Sequence, residues 1–231
     1  MADKSSRENF AEMRKRPLRE FLPYLWEYYR WPVFWVVFFV GCFVSLVLSI
    51  VNQKDTVLSV LMLNCRPYPE SDFYVVDFAE QAEIDLDAYA MDFNTSLRIG
   101  QTLDEDAMNA SQYILTHIAA GQLDVAVMDT RNFTGYADIL FQDLREHLTD
   151  TQLAELSGRL FYRPGDGSDA DLYDPTDPES MPSPVPIGII LSDCEDFHEA
   201  FYYENQDAVA GICVNALNPQ NGVKFLTYIS E

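Results

Sequence analysis

The hydrophobic pattern of the chain is dominated by its longest uncharged stretch, residues 31–53. The apolar part, residues 31–51, reads WPVFWVVFFVGCFVSLVLSIV. A bilayer core is about 30 Å thick, and about 20 apolar residues of α-helix are needed to cross it. The stretch therefore predicts one transmembrane helix over residues 31–51. The side chains expected to anchor it are Trp31, Trp35, Phe38, Phe39, Leu46 and Leu48.

A cleavable signal peptide and a lipoprotein signal are the alternatives to an uncleaved anchor. A signal peptide has an apolar core of about 7–15 residues that ends at a small-residue cleavage site. This stretch is longer, and residues 49–52 (SIVN) contain no such site. Residues 39–42 (FVGC) weakly resemble a lipoprotein box, but the residues after Cys42 stay mostly apolar. We therefore interpret the stretch as an uncleaved anchor.

Charged and aromatic residues around the span predict its orientation. Residues 1–30 contain seven of the 15 Lys and Arg residues, and the much longer segment after the span contains the other eight. Because basic residues close to a span favour the cytoplasmic side, residues 1–30 are predicted to be a cytoplasmic leader. Aromatic rings suit headgroup depth, so residues 18–30 are expected to form an interfacial helix. The aromatic residues at this entrance are Phe21, Tyr24, Trp26, Tyr28, Tyr29, Trp31 and Trp35.

After the span, short apolar runs alternate with stretches at helical spacing. Residues 56–63 (TVLSVLML) and 123–128 (LDVAVM) are almost continuously apolar, which is typical of strands covered on both faces. Between them, the acidic residues 104–106 begin a helical stripe that ends at Gly121, a residue suited to a left-handed helix end. Other predicted strands cover residues 88–93, 160–162, 185–191 and 209–215, and other predicted helices cover residues 71–84, 133–140 and 151–156 and the segment after the cap Asn218.

Strand, helix and strand in this order predict a parallel sheet, because a parallel pair needs a crossover connection. We expect residues 54–231 to form a single three-layer α/β domain with a mostly parallel sheet and helices on both faces. Its 178 residues suffice for one sizeable core. Residues 164–186 interrupt the pattern with six of the 12 prolines, six acidic residues and no basic residue, and are predicted to be an acidic loop.

The charge of the chain is concentrated after the span. Residues 54–231 contain 32 acidic and eight basic residues, which gives a net charge of −24. A domain this acidic repels nucleic acid and anionic lipid headgroups, so its expected partners are cations, basic proteins or neutral molecules. A simpler interpretation is that the excess of acid keeps the domain soluble.

Cysteine usage and motifs argue against a metal centre and against catalysis. The domain contains Cys65, Cys194 and Cys213, an odd number, of which the last two are able to pair or to remain free. No C-x-x-C spacing occurs and the three histidines are scattered, so no zinc site is predicted. G-x-S-x-G, H-E-x-x-H and phosphate-cradling G-x-x-x-x-G-K motifs are absent from the sequence. We expect no cofactor, no metal and no enzyme activity.

Four polar residues near predicted strand ends are the candidate ligand-binding residues. Open parallel sheets bind ligands beyond the carboxyl ends of their strands, so a pocket is expected near Asn64, Asn94 and Asp129. Asp124 and Asp129 lie at the two ends of the strand predicted at 123–128 and could bind a cationic group, although such aspartates more often cap turns and helices. The six acidic residues of the loop either gather calcium or form a solvated face. Their spacing does not fit an EF-hand.

Several motifs carry a family resemblance. Residues 118–127 (IAAGQLDVAV) resemble the turn between a helix and a strand in the two-lobed type II extracellular solute-binding proteins of bacteria. Tyr136-Ala137, residues 141–144 (FQDL), residues 212–215 and residues 218–229 are similar to later motifs of that family. The leader and anchor, with Tyr28-Tyr29, resemble those of small, uncharacterised membrane-anchored proteins of Gram-positive bacteria.

The resemblance implies one lobe of a solute-binding protein. The family has roughly 300 or more residues outside the membrane in two domains of ordinary size, against 178 residues here. The closing cleft between two lobes is therefore not implied, and no ligand residue is carried over.

Together these patterns predict a single-pass protein of the cell membrane, with the N-terminus in the cytoplasm and a non-catalytic C-terminal domain outside. The domain is expected to bind a solute or a protein partner at the cell surface. The alternative function is that of a structural or accessory subunit of a membrane (transporter) complex. In that case residues 18–51 are the expected contact with the other subunits, because a simple tether would not need so aromatic a leader.

Overall fold

The structure is a computed structural model that describes residues 18–51, 54–100, 102 and 104–230. The chain divides into two compact units, Met1–Gln53 and Lys54–Glu231. In the first unit, helix α1 covers Leu18–Val51. Residues 1–17 of the predicted leader lie outside the described residues.

Aromatic and aliphatic side chains of α1 are exposed between Trp31 and Leu48. Trp31 is 64% exposed and Phe39 is also 64% exposed. Ring contacts run along this segment, with the Trp35 and Phe38 centroids 5.8 Å apart. In the part of the chain that the structure describes, no helix is long and apolar enough to cross a membrane. The span expected at residues 31–51 stays a prediction of the sequence.

The second unit alternates strands and helices along most of its length. Its strands are β1 (Asp55–Met62), β2 (Arg66–Pro67), β3 (Tyr89–Asn94), β4 (Val125–Met128), β5 (Leu160–Arg163), β6 (Val185–Ile190), β7 (Phe201–Tyr202) and β8 (Val209–Ile212). Its α-helices are α2 (Ser71–Gln81), α3 (Glu105–Ala119), α4 (Thr130–Leu140), α5 (Asp150–Glu155), α6 (Glu195–Ala200) and α7 (Pro219–Ile229). Short 3₁₀ turns lie at Leu144–Glu146, Ala170–Leu172, Pro178–Ser180 and Glu204–Gln206.

Among the described residues, six strands form one mixed sheet in the order β3-β1-β4-β8-β6-β5. β1 pairs in parallel with β3 and with β4. β8 pairs antiparallel with β4 and β6, and β5 pairs antiparallel with β6. The predicted α/β domain is confirmed. The parallel arrangement is confirmed for β3, β1 and β4, whereas β8 and β5 run in the opposite direction to the other four strands.

Helices cover both faces of this sheet, as predicted. Successive strand residues point to opposite faces, so Val60, Val125 and Ile212 belong to one buried cluster with Phe78 of α2 and Phe225 of α7. On the other face, the buried cluster joins alternate strand residues to α3 and α4; its larger members include Leu61, Met128, Ile114 and Phe133. The strands are apolar at almost every position because helices cover both faces of the sheet.

The buried cysteines are divided between these two faces. Cys194 belongs to the cluster with Phe78 and Phe225, and Cys213 belongs to the cluster with Phe133. Both are free thiols. The pairing of Cys194 with Cys213 that the sequence left open is therefore not formed, because the sheet lies between them.

Most local signals are found where the sequence predicts them. Gly121 ends α3 with a φ of 67°, and Asp104 caps its start by accepting a hydrogen bond from the Ala107 amide at 2.9 Å. Asn218 stands at the N-cap of α7, but its side chain makes no capping hydrogen bond. Helix α6 and the two-residue ribbon of β2 and β7 were not predicted, because segments this short carry too little periodicity to be recognised.

The acidic loop at 164–186 is a series of tight turns. The Asp166 and Asp174 carboxylates each accept a hydrogen bond from the backbone amide two residues later. The Tyr162 amide donates to the Pro175 carbonyl at 2.7 Å, which attaches the middle of the loop to strand β5. The loop carboxylates therefore order their own backbone, as aspartates in such turns commonly do.

Candidate functional site

A cleft of about 630 Å³ lies at the carboxyl edge of the parallel part of the sheet. It forms there because β1, β3 and β4 run in the same direction, so the segments that leave them meet at one edge. The short ribbon of β2 and β7 contributes one side of it. The lining residues are Asn64, Arg66, Arg98, Ile99, Gly100, Asp129, Arg131, Asn132, Tyr202, Tyr203, Glu204, Asn205 and Asp207.

Asn64 joins the segments that follow all three parallel strands. It lies two residues after the end of β1 and adopts a φ of 60°, a conformation that Asn tolerates better than most residues. Its side-chain amide donates to the Asp129 carboxylate at 2.8 Å and to the Ile99 carbonyl at 2.9 Å. Its side-chain oxygen accepts from the Ile99 amide at 2.8 Å. Asn64 therefore holds together the segments that follow β1, β3 and β4.

Asp129 is held by local donors. One carboxylate oxygen accepts from the Asn132 backbone amide at 3.1 Å and so caps helix α4. The other accepts from the side-chain amides of Asn64 and Asn132, at 2.8 and 2.7 Å. Asp129 therefore caps a helix, which is one of the two roles that the sequence suggested for it.

Three arginines line the cleft, and each follows one of the parallel strands by three or four residues. Arg66 follows β1, Arg98 follows β3 and Arg131 follows β4. All three are exposed. One nitrogen of Arg98 donates to the Thr95 and Leu97 carbonyls, at 2.6 and 2.7 Å, which fixes its guanidinium. Among the described residues, Arg66 and Arg131 make no side-chain hydrogen bond or ion pair.

Of the acidic residues in the cleft, Asp207 is also held by a local donor. Its carboxylate accepts a short hydrogen bond from the Thr130 hydroxyl and a second one, at 3.3 Å, from the Thr130 amide at the start of α4. Glu204 lies on a 3₁₀ turn and is exposed. The Asp129 and Asp207 carboxylates therefore accept hydrogen bonds from the backbone and side chains around α4, whereas the Arg66 and Arg131 guanidinium groups donate to no described group.

Below the cleft, Cys65 and Tyr203 form a buried pair. Cys65 is fully buried, and burial raises the pKa of its thiol to about 12, against the smaller opposing effects of the Tyr203 hydroxyl and the Arg98 charge. Burial also raises the pKa of Tyr203, whose hydroxyl donates to the Val127 carbonyl at 3.2 Å. A thiol with so high a pKa is not a nucleophile at neutral pH.

Asp124 lies at the other end of β4 and is 2% exposed. Its carboxylate accepts from the Ser59 amide at 2.9 Å, from the Asn218 amide at 2.7 Å and from the Asn218 side chain at 3.3 Å. These contacts join β1 and β4 to the start of α7. Asp124 and Asp129 therefore do not share a site, because a strand of four residues separates them.

Asn94, the remaining candidate, ends strand β3 but does not line the cleft. Its side-chain oxygen accepts from the Ser96 amide at 3.0 Å and from the Ser96 hydroxyl at 2.7 Å. It shapes the turn that leads to Arg98. Of the four candidates, the structure therefore brings together Asn64 and Asp129 only.

A second groove, of about 520 Å³, has a different character. It lies beside α2 and α6, and every charged residue that lines it is acidic: Glu70, Asp77, Glu80, Asp196 and Glu199. Nowhere among the described residues do three or more His, Cys, Asp or Glu side chains come together in a way that could hold a metal ion.

The three arginines are not predicted by the motifs of the sequence, although a signal for them exists. The interval of three or four residues after each parallel strand is visible in the sequence once the strands are assigned. The net charge of the domain does not reveal this interval, because 32 acidic residues outweigh the three arginines in the sum. Comparison of the chain with models of known protein families gives no match, and no curated protein is similar to it in sequence.

Proposed function

We propose that the chain is a single-pass membrane-anchored protein whose Lys54–Glu231 unit binds a solute or partner outside the cell without chemical conversion. The observation that carries the binding function is the cleft at the carboxyl edge of β1, β3 and β4. Open α/β sheets bind their ligands at this edge, and the volume of about 630 Å³ suits a small molecule. The resemblance to one lobe of a solute-binding protein supports the same function.

Binding is favoured over catalysis by the residues of the cleft. No Ser, Thr, His, Lys or Cys is among the described residues that line it. Nucleophilic catalysis usually pairs such a group with a base within hydrogen-bond reach. Of the carboxylates that could serve as bases, Asp129 and Asp207 are held by local donors, whereas Glu204 is exposed and has no nucleophilic Ser, Thr or Cys beside it in the cleft lining. The cleft is therefore better suited to holding a ligand than to converting it.

The membrane anchor is supported by the uncharged residues 31–53 and by the basic leader. We expect that protease added to intact cells will degrade residues 54–231 and leave an N-terminal epitope tag intact. The measurement is immunoblotting of tagged protein before and after protease. Lysed cells, in which both ends become accessible, are the control. Protection of the C-terminal domain until lysis would show the opposite orientation.

Binding in the cleft is tested by filling it. Gly100 lines the cleft, and a side chain there would meet no atom within 4 Å. We expect one or more of inorganic phosphate, citrate, leucine, glucose and putrescine to raise the Tm of the full chain in detergent, by about 5–10 °C near saturation. Gly100→Trp should abolish this shift because the indole occupies the ligand space.

The matched control is Gly135→Trp. Gly135 is also exposed with open space around it, but it lies in the middle of helix α4. This variant should keep the ligand-induced shift. If Gly100→Trp responded to every solute as the parent does, the cleft would not be the binding site. The accessory-subunit alternative, through residues 18–51, stays a prediction of the sequence.

A further inference from the structure

Basic side chains are scarce in the Lys54–Glu231 unit, and three of the eight lie in one cleft. Arg66, Arg98 and Arg131 line the carboxyl edge of the sheet, in a unit that also contains 32 acidic residues. They come from three separate segments of the chain. Their proximity is thus a consequence of the fold, since the parallel strands bring these segments to the same edge.

Of the five basic residues elsewhere in the unit, four have acceptors within the fold, and the fifth, Arg163, has a buried Nε without a partner among the described residues. Lys54 donates to the Leu86 carbonyl at 2.5 Å and Lys224 donates to the Ala82 carbonyl at 2.8 Å. Arg159 donates to the Ser230 carbonyl at 2.7 Å. Arg145 forms an ion pair with Asp143 at 2.6 Å. Arg66 and Arg131 differ from these four, because no described group accepts a hydrogen bond from their side chains.

The acidic residues of the cleft do not neutralise these arginines. Asp129 accepts from two asparagine side chains and one backbone amide, and Asp207 accepts from Thr130. Glu204, the third acidic residue of the cleft, is exposed. Among the described residues, no ion pair joins any of the three to a cleft arginine. The guanidinium groups of Arg66 and Arg131, and the nitrogens of Arg98 that do not donate to Thr95 and Leu97, are thus available to a ligand from outside the chain.

We propose that the ligand of this cleft is a small anion whose carboxylate or phosphate group is held by Arg66, Arg98 and Arg131. The proposal rests on the proposed function of the cleft as a ligand site and adds the chemical class of the ligand. Guanidinium groups present a planar set of donors that matches carboxylate and phosphate oxygens. Arg98 is already oriented by its two backbone contacts, so little side-chain entropy is lost when it binds.

The charge of the surrounding surface limits the size of the ligand. A net charge of −24 over residues 54–231 repels a polyanion that extends beyond the cleft. A small anion makes its contacts within a few ångströms of the arginines, and at physiological ionic strength the repulsion from more distant charges is screened over about 8 Å. The site therefore selects small anions and rejects nucleic acid.

The test is titration of the full chain in detergent with inorganic phosphate and, separately, with citrate, followed by calorimetry and by Tm. We expect saturable binding of at least one anion. The double variant Arg66→Gln/Arg131→Gln should weaken it by about tenfold or more, because charge-assisted hydrogen bonds are lost. Arg145→Gln removes one charge outside the cleft and should leave the affinity within about twofold, as expected for a distant exposed charge.

The two anions distinguish the source of the charged group. Binding of phosphate alone assigns a phosphate ligand, and binding of citrate alone assigns a carboxylate ligand. Binding of both anions shows that the arginines recognise negatively charged oxygens in general, whether from a phosphate or from a carboxylate. Each of these results supports the proposal only if the arginine variants weaken the binding.

Two results would overturn the anion proposal. One is anion binding of equal strength in the parent and the double arginine variant. The other is no response to either anion while leucine, glucose or putrescine raises the Tm in a manner that Gly100→Trp abolishes; the cleft would then bind a ligand of a different class. If no solute gave a shift sensitive to Gly100→Trp, the proposed binding of a solute in this cleft, on which the anion proposal rests, would be wrong.

Discussion

Replacing Val125 with aspartate is expected to unfold the Lys54–Glu231 unit. Val125 is fully buried in β4, where it pairs with Val60 of β1 and with Ile212 of β8. Its side chain also lies against Gly222 of helix α7. The cluster around it consists of buried apolar side chains. An unpaired carboxylate in such a place costs several kcal/mol, a large part of the total stability of about 5–15 kcal/mol of a typical domain.

The measurement is thermal unfolding of the full chain followed by near-ultraviolet circular dichroism. Val125→Asp should remove the cooperative transition or shift it far below that of the parent. Val76→Asp is the matched control, because Val76 lies in helix α2 and is 46% exposed. A parent-like Tm for Val125→Asp would show that β4 is not the central buried strand of the sheet.

The position of this strand could be predicted because burial on both faces leaves a clear pattern. Residues 56–63 and 123–128 are apolar at almost every position, and the structure places β1 and β4 there with helices on either side. In strands with only one buried face, polar residues would alternate with apolar ones. The helix between them was equally clear, because an acidic start and a terminal glycine mark both of its ends.

Strand direction could not be read from the same pattern. An apolar run of four to six residues, such as β8 or β6, looks the same whichever way it enters a sheet. Direction depends on the connections. The loop at 164–186 joins β5 to β6 as antiparallel neighbours. Helix α6 and the β7 ribbon then bring the chain back so that β8 runs against β6 and β4. These connections are short or irregular, and their sequences carry weak signals.

The part of the candidate site that could be predicted is the part formed by residues that follow the parallel strands. Asn64 and Asp129 follow β1 and β4, which are parallel neighbours, and the two side chains are hydrogen-bonded in the structure. Asn94 also ends a parallel strand but turns toward Ser96. The rotation of a side chain at a strand end depends on the local turn, which composition and spacing do not determine. Asp124, the fourth candidate, lies at the opposite end of β4 from Asp129 and is not part of the cleft.

Replacing Asp124 with alanine is expected to destabilise the fold strongly without touching the cleft. The buried carboxylate accepts hydrogen bonds from the Ser59 and Asn218 backbone amides, at 2.9 and 2.7 Å. Alanine would leave both amides without these acceptors, at a cost of about 1–3 kcal/mol each. A lowering of the Tm by about 5–20 °C follows for a unit of this size, measurable by circular dichroism of the full chain.

Asp92→Ala is the matched control for this prediction. Asp92 pairs with Ser59 from the neighbouring strand β3 and lies at the same end of the sheet, but it is exposed. Its replacement should change the stability by no more than about 0.5 kcal/mol, the usual range for surface positions. If the two variants lowered the Tm equally, the effect of Asp124 would come from the loss of an acidic charge at this edge. A large effect of Asp124→Ala alone would assign it to the hydrogen bonds that join β1 and β4 to helix α7.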